Sequence, residues 1–222
     1  MSNSVRVWDL PTRIFHWALV ACVLGLVISG YRGGAAMYWH ARMGYAVLTL
    51  LLFRLVWGFV GGHWSRFASF LYPPRAVVAY LSGQAHPDHL VGHNPLGAGS
   101  VFAMLAFLLL QVATGLVGDD DTAFTGPLNR FVKTSQGLAA TWYHKRICQW
   151  VLAALVLLHI AVVLYYLWKK KQNLIGPMLR GDKYLQGSTA LASRDDAASR
   201  LTALMVLTAC AGLVAGLVKL GG

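Results

Sequence analysis

Acidic charge is scarce in this chain: eight Asp and Glu stand against 19 Lys and Arg in 222 residues, and no carboxylate falls inside its long apolar runs. A transporter or metal permease that relays protons or ions needs polar side chains along several spans, so this scarcity argues against that class. Cysteine is scarcer still. Cys22, Cys148 and Cys210 each lie within an apolar run and none belongs to a C-x-x-C-H pattern. That excludes covalent c-type haem, a zinc ribbon and a disulfide framework, and leaves small apolar packing residues. There is also no fixed-period repeat, no low-complexity tract and no room for a soluble domain, since every connection between apolar runs is shorter than about 40 residues.

Apolar surface is what the chain has in quantity. Hydrophobic residues make up 57% and charged residues 12%, with a mean hydropathy of +0.55. The apolar residues come in blocks rather than in alternation, which is the composition of a polytopic membrane protein. Five candidate spans cover residues 14–31, 40–60, 98–117, 146–168 and 201–219. Each is near the ~20 residues a helix needs to cross the hydrocarbon core. The first reads as a retained span, not a cleaved signal peptide, because Trp8, Asp9, Pro11, Phe15, His16 and Trp17 crowd its entry and no A-x-A site follows. Asp9 with Pro11, and Asn94 with Pro95, take the cap and first-turn positions of the first and third spans. After Pro73 and Pro74, the residues Val77, Val78, Tyr80 and Leu81 form an amphipathic piece suited to the membrane surface. Residues 176–200 are polar and rich in small side chains, and are expected to form a mobile loop. The expectation is one all-α membrane domain over residues 1–222, a four-helix bundle plus a fifth C-terminal transmembrane helix.

The net charge of +11 sits mainly at span ends, where orientation signals belong, so the expected partner is membrane lipid and not nucleic acid. Lys169, Lys170, Lys171, Arg180, Lys183, Arg194 and Arg200 make residues 169–200 a strongly basic loop, cytoplasmic by the positive-inside rule. Counting back places the N-terminus, with Arg6 and Arg13, and the segment 61–97 inside as well. The connections 32–39 and 118–145 then lie outside, the second carrying Asp119, Asp120 and Asp121.

Topology divides the eight histidines. His63, His86, His89 and His93 fall in the inner loop, where HPDHLVGH contains Pro and Gly and lacks the helical spacing of a metal site, so it reads as solvated or headgroup-facing. His16, His40, His144 and His159 fall within or at the ends of spans, where an ionisable side chain is costly and marks function. His144 and His159 are 15 residues apart. On a helix that is about 22 Å of rise and about 60° of rotation, so both can face one bundle interior at two depths. The paired aromatics Tyr38–Trp39 and Trp142–Tyr143 mark an interfacial belt just ahead of His40 and His144. The pairing that follows is His40 with His144 outside and His16 with His159 inside.

Two bis-imidazole sites stacked across a bilayer suit two b-type haems held without covalent attachment, whereas zinc would need more ligands per site. Gly25, Gly30, Gly44, Gly58 and Gly115 are candidates for close approach to a porphyrin or between helices. Arg54, deep in the second span, needs an anionic partner or access to the interface. It is a candidate for a haem propionate, as are Arg13 on the inner side and Arg42 and Lys145 on the outer side.

The segments VWDLPTRIFHW at 7–17, RLVWGFVGGHWSRFASF at 54–70, GHNPLGA at 92–98 and LHIAVVLYYLWKKKQNLIGPMLRGDK at 158–183 resemble the prokaryotic di-haem cytochrome b561 family. The likeness is greatest to the branch holding the b-type cytochrome subunits of nickel–iron hydrogenases. It covers residues 5–183, including the acidic run and GPL at 119–128. The resemblance implies a four-helix core with two haems b, ligated by His16, His40, His144 and His159. It also implies electron transfer across the bacterial cytoplasmic (inner) membrane between the quinone pool and a periplasmic redox protein. Asp119, Asp120 and Asp121 either meet a basic partner such as a c-type cytochrome or form an ordinary solvated acidic turn. A hydrogenase-type subunit passing electrons to quinone and a superoxide:quinone oxidoreductase are the alternatives. A plain membrane anchor for a docked enzyme would explain the topology but not four paired histidines.

Overall fold

Within lipid a backbone has no water to bond, so apolar runs of this length close their own hydrogen bonds as helices. The structure, a computed structural model, describes residues 2–84, 86–122, 124–186 and 190–221. In chain order the elements are β1 (Ser2–Arg6), α1 (Leu10–Arg32), α2 (Met37–Val60), α3 (Pro74–Leu81), α4 (Pro95–Val117), α5 (Thr134–Tyr143), α6 (Gln149–Trp168), α7 (Ile175–Arg180), β2 (Asp182–Gln186) and α8 (Ala197–Lys219). A π-helical turn, His144–Cys148, joins α5 to α6 without a break. Among the described residues, five helices are long and apolar enough to cross a membrane, as the all-α bundle with a fifth C-terminal helix requires.

Contacts divide the chain into two units. The first comprises Met1–Phe15, Arg54–Ala103 and Leu157–Met205, the second His16–Phe53, Met104–Val156 and Val206–Gly222, so each long helix gives a segment to both. In the first unit, Asp9 caps α1 by accepting from Thr12 N at 2.8 Å, and Asn94 caps α4 by accepting from Gly97 N at 2.8 Å. α3 is the amphipathic piece expected after the two prolines. Val78 and Leu81 are exposed on it, while the Tyr80 hydroxyl meets that of Tyr166 at 3.0 Å.

The stretch 176–200 is more ordered than its composition suggests, although residues 187–189 lie outside those described. β2 pairs antiparallel with β1, Arg6 opposite Asp182, giving a small sheet in an otherwise helical chain. Val7 N and Trp8 N donate to Gly181 O at 2.9 and 3.1 Å. Arg6 forks between Asp182 and Asp195, each at 2.6 Å, and Asp195 also accepts from Leu10 N and Arg200 Nε, each at 3.1 Å. These complementary charges, together with a core of Val7, Trp8, Trp64 and Val91, convert the expected mobile loop into a strap over the start of the chain.

In the second unit the fourth long helix starts at Thr134, well before the boundary at 146 drawn from apolarity alone. The connection ahead of it holds the acidic run as a self-capped turn. Asp119 accepts from Asp121 N at 2.9 Å, and Asp120 accepts from Thr122 N at 3.1 Å and Phe124 N at 2.8 Å.

Candidate functional site

The second unit brings His40 and His144 together. Their ring centroids are 6.1 Å apart and the planes are inclined by 68°. Each ring is held by the same five-residue device on another helix: LVISG at 26–30 on α1 for His40, and QVATG at 111–115 on α4 for His144.

The geometry of the two devices matches atom by atom. His40 Nδ1 lies 3.0 Å from Leu26 O and 3.3 Å from Ser29 Oγ, and His144 Nδ1 lies 2.9 Å from Gln111 O and 3.2 Å from Thr114 Oγ1. The glycine that ends each device lets the ring lie on the helix. A Cβ on Gly30 would sit 3.2 Å from His40 Cε1, and one on Gly115 would sit 3.3 Å from His144 Cε1. A backbone carbonyl only accepts, so Nδ1 of both rings carries the proton and Nε2 keeps a bare lone pair. An imidazole that ligates a metal commonly donates its other ring N–H to a carbonyl in this way, which fixes the tautomer and the ring's orientation.

The donor set can be tested against a metal. Two nitrogen–metal bonds of about 2 Å each, plus the offset of each ring centre behind its nitrogen, add to about 6 Å, in line with the observed 6.1 Å. Among the described residues, no group of three or more His, Cys, Asp and Glu is placed to hold a metal ion. Two axial imidazoles and no further protein ligand fit an iron whose equatorial donors belong to a macrocycle.

The other expected residues fall as follows. His16 is half-buried on α1 in the second unit, edge-on to Trp17 at 5.0 Å, and His159 is half-buried on α6 in the first unit. Arg42 and Lys145 are exposed, Arg42 lying over the Tyr38 ring at 4.3 Å. Arg13 is engaged by the chain itself, donating to Leu179 O at 2.7 Å and lying 3.8 Å from Asp195. Arg54 does not snorkel. It is 3% exposed, stacks over Phe67 at 4.7 Å, and its Nη1 is enclosed with no hydrogen-bond partner.

Two residues of the first unit carry more than their sequence positions suggest. Asp9, fully buried, accepts not only from its cap partner but from Trp57 Nε1 at 3.2 Å, Gly62 N at 3.0 Å and Ser65 Oγ at 2.7 Å. It thereby ties the 7–17 motif to the 54–70 motif. His93 packs between Trp8 and Phe70, with centroids at 4.8 and 4.6 Å. Burial, with the nearby charges of Arg54, His159 and Lys183 adding to it, pushes its pKa down to about 3, so it is neutral at pH 7. The only sequence signal for this role was its place between a glycine and an N-cap asparagine.

A helical membrane bundle with a pair of tautomer-fixed imidazoles, and with no group of three or more His, Cys, Asp and Glu placed to hold a metal ion among the described residues, has the donor set that a membrane cytochrome of the b type needs. Residues 7–181 match the family described as prokaryotic cytochrome b561, and the chain belongs to that family, whose members carry b-type haem in electron transport. It is similar to the probable Ni/Fe-hydrogenase B-type cytochrome subunit of Azotobacter vinelandii, 26% identical over 216 residues that cover 81% of this chain and 88% of the relative. The probable Ni/Fe-hydrogenase 1 B-type cytochrome subunit of Escherichia coli (strain K12) is 24% identical over 214 residues, covering 80% and 90%. No solved structure matches.

Proposed function

We propose that this chain is a di-haem b cytochrome that moves electrons across the bacterial cytoplasmic membrane between quinone and a redox partner on the periplasmic side. His40 and His144 would hold the iron of the outer haem, and His16 and His159 that of the inner haem. The observation that carries the reading is the matched cradle of His40 and His144, with both Nδ1 atoms satisfied by carbonyls at 3.0 and 2.9 Å. When bound, haem supplies a one-electron iron couple. The protein holds the rings rigid, keeps Nε2 free of protons and excludes water with apolar helix faces. Arg54, enclosed and short of one hydrogen bond, is the strongest candidate to receive a propionate. Arg42 and Lys145 are available on the outer side, while Arg13 is already committed to Leu179 and Asp195.

The basic segment 169–200 and the N-terminus face the cytoplasm in this reading, by the positive-inside rule. The names of the relatives favour a hydrogenase as the redox partner. The acidic run that would favour a basic c-type cytochrome spends the Asp119 and Asp120 carboxylates on its own turn.

Replacement of single ligands tests the assignment. His144→Ala should remove one b haem and leave the other spectrally intact, and His159→Ala should remove the other. A His144→Ala or His159→Ala protein that folds and keeps both haems sinks the ligand assignment.

A further inference from the structure

We propose that Ser29 and Thr114 are a matched pair of positioning residues that set the redox potential of the His40–His144 site. The inference rests on His40 and His144 being haem ligands. It adds that the hydroxyl beside each ring, and not the carbonyl alone, governs how strongly that ring donates.

Ser29 Oγ donates to Gly25 O at 2.7 Å and lies 3.2 Å from Leu26 O. Thr114 Oγ1 donates to Leu110 O and lies near Gln111 O, both at 2.9 Å. Hydroxyls in membrane helices commonly bond back to such carbonyls, and taken alone that would be a local feature. Here each hydroxyl proton is already given to its own helix, so the contact with Nδ1, 3.3 Å for Ser29 and 3.2 Å for Thr114, places a lone pair against the imidazole N–H. The N–H is thus shared between a carbonyl and a hydroxyl.

The arrangement occurs twice, on two helices, with the hydroxyl in the same position relative to the glycine and the carbonyl. Both ligands of one site are therefore biased in the same direction. Acceptors on Nδ1–H raise the basicity of the coordinating nitrogen, which favours the oxidised metal and lowers the potential. Ser29 is 5% exposed, so water does not reproduce its contact when the hydroxyl is removed.

The test is a redox titration of the purified full chain, followed by haem absorption, for Ser29→Ala, Thr114→Val and the double variant, with Ser29→Thr and Thr114→Ser as conservative partners. One neutral hydrogen bond at the weak end of its range is about a 2.3-fold change in equilibrium constant. For a one-electron couple that is about 22 mV, at 59 mV per decade. One of the two haem transitions should rise by about that much per hydroxyl removed and by about twice as much in the double variant, the other staying in place. Ser29→Thr and Thr114→Ser should hold the original value. Retained haem with an unmoved potential, or a Ser29→Thr shift as large as that of Ser29→Ala, overturns the proposal. The ligand reading fails separately: if His40→Ala and His144→Ala keep both haems, the coordination is wrong and the hydroxyl role falls with it, whereas loss of one haem in those variants with an unmoved potential in Ser29→Ala and Thr114→Val overturns the hydroxyl role alone.

Discussion

Asp9 is the residue on which the first unit depends most heavily, because every group around its carboxylate is a donor: Thr12 N, Trp57 Nε1, Gly62 N and Ser65 Oγ. Asp9→Asn keeps the shape but turns an amide N–H₂ toward those donors. The expected cost is on the order of 2–4 kcal/mol, and thermal unfolding in detergent measures it. Wild-type stability in that variant would remove Asp9 from the centre of the account. At the other unit, Gly115→Ala puts a methyl 3.3 Å from His144 Cε1, and Gly30→Ala does the same at 3.2 Å from His40. Both should lower haem content at one site while leaving the other filled, as read from the reduced-minus-oxidised spectrum. Residue-level chemistry was only partly legible in the sequence. The four span histidines stood out because an imidazole in lipid is costly, and Asp9 stood out as a cap. Its wider role did not, since Trp57 and Ser65 lie 48 and 56 residues away. Ser29 and Thr114 gave no signal, because a hydroxyl in an apolar helix is ordinary until the ring it touches is known.

Among the elements, the strap formed by β1, β2 and the segment around Asp195 is the one most sensitive to acid. Burial would raise the Asp195 pKa, but hydrogen bonds from Arg200 and Leu10 N and the charges of Arg200 and Arg6 outweigh it and hold the carboxyl below its ordinary value. A depressed acid pKa contributes stability above the unfolded value, near 3.9, that is lost as pH falls through the folded one. Wild-type stability should therefore decline below about pH 4. Asp195→Asn should be less stable at pH 7 and flatter across that acid range; equal slopes for the two proteins would contradict the assignment. Hydropathy located the five long helices, since apolar blocks in lipid have one structural solution. It did not locate the strap, because Arg6 and Asp182 are 176 residues apart and SNSVR and DKYLQ carry little strand signal alone. The π-helical turn at His144–Cys148 was equally silent. It takes up one residue more than an α-helical turn, so the sequence count from His144 to His159 overruns the helical phase by roughly 100°. Such turns recur at functional sites, and this one begins at a proposed ligand.

For the whole molecule, five apolar helices and the match over residues 7–181 establish a multi-pass b-type cytochrome of the b561 family. That much was open to a reader of the sequence, whose motifs at 7–17, 54–70 and 92–98 lie in one family order. Partner and direction of electron flow depend on surfaces outside this chain, which no internal pattern encodes. Two haems b held by four histidines of one chain are counted by the pyridine haemochrome of the purified protein. The expected result is about two b haems per chain, falling to about one in His144→Ala. A single haem or none in wild-type protein expressed with ample haem supply would contradict it.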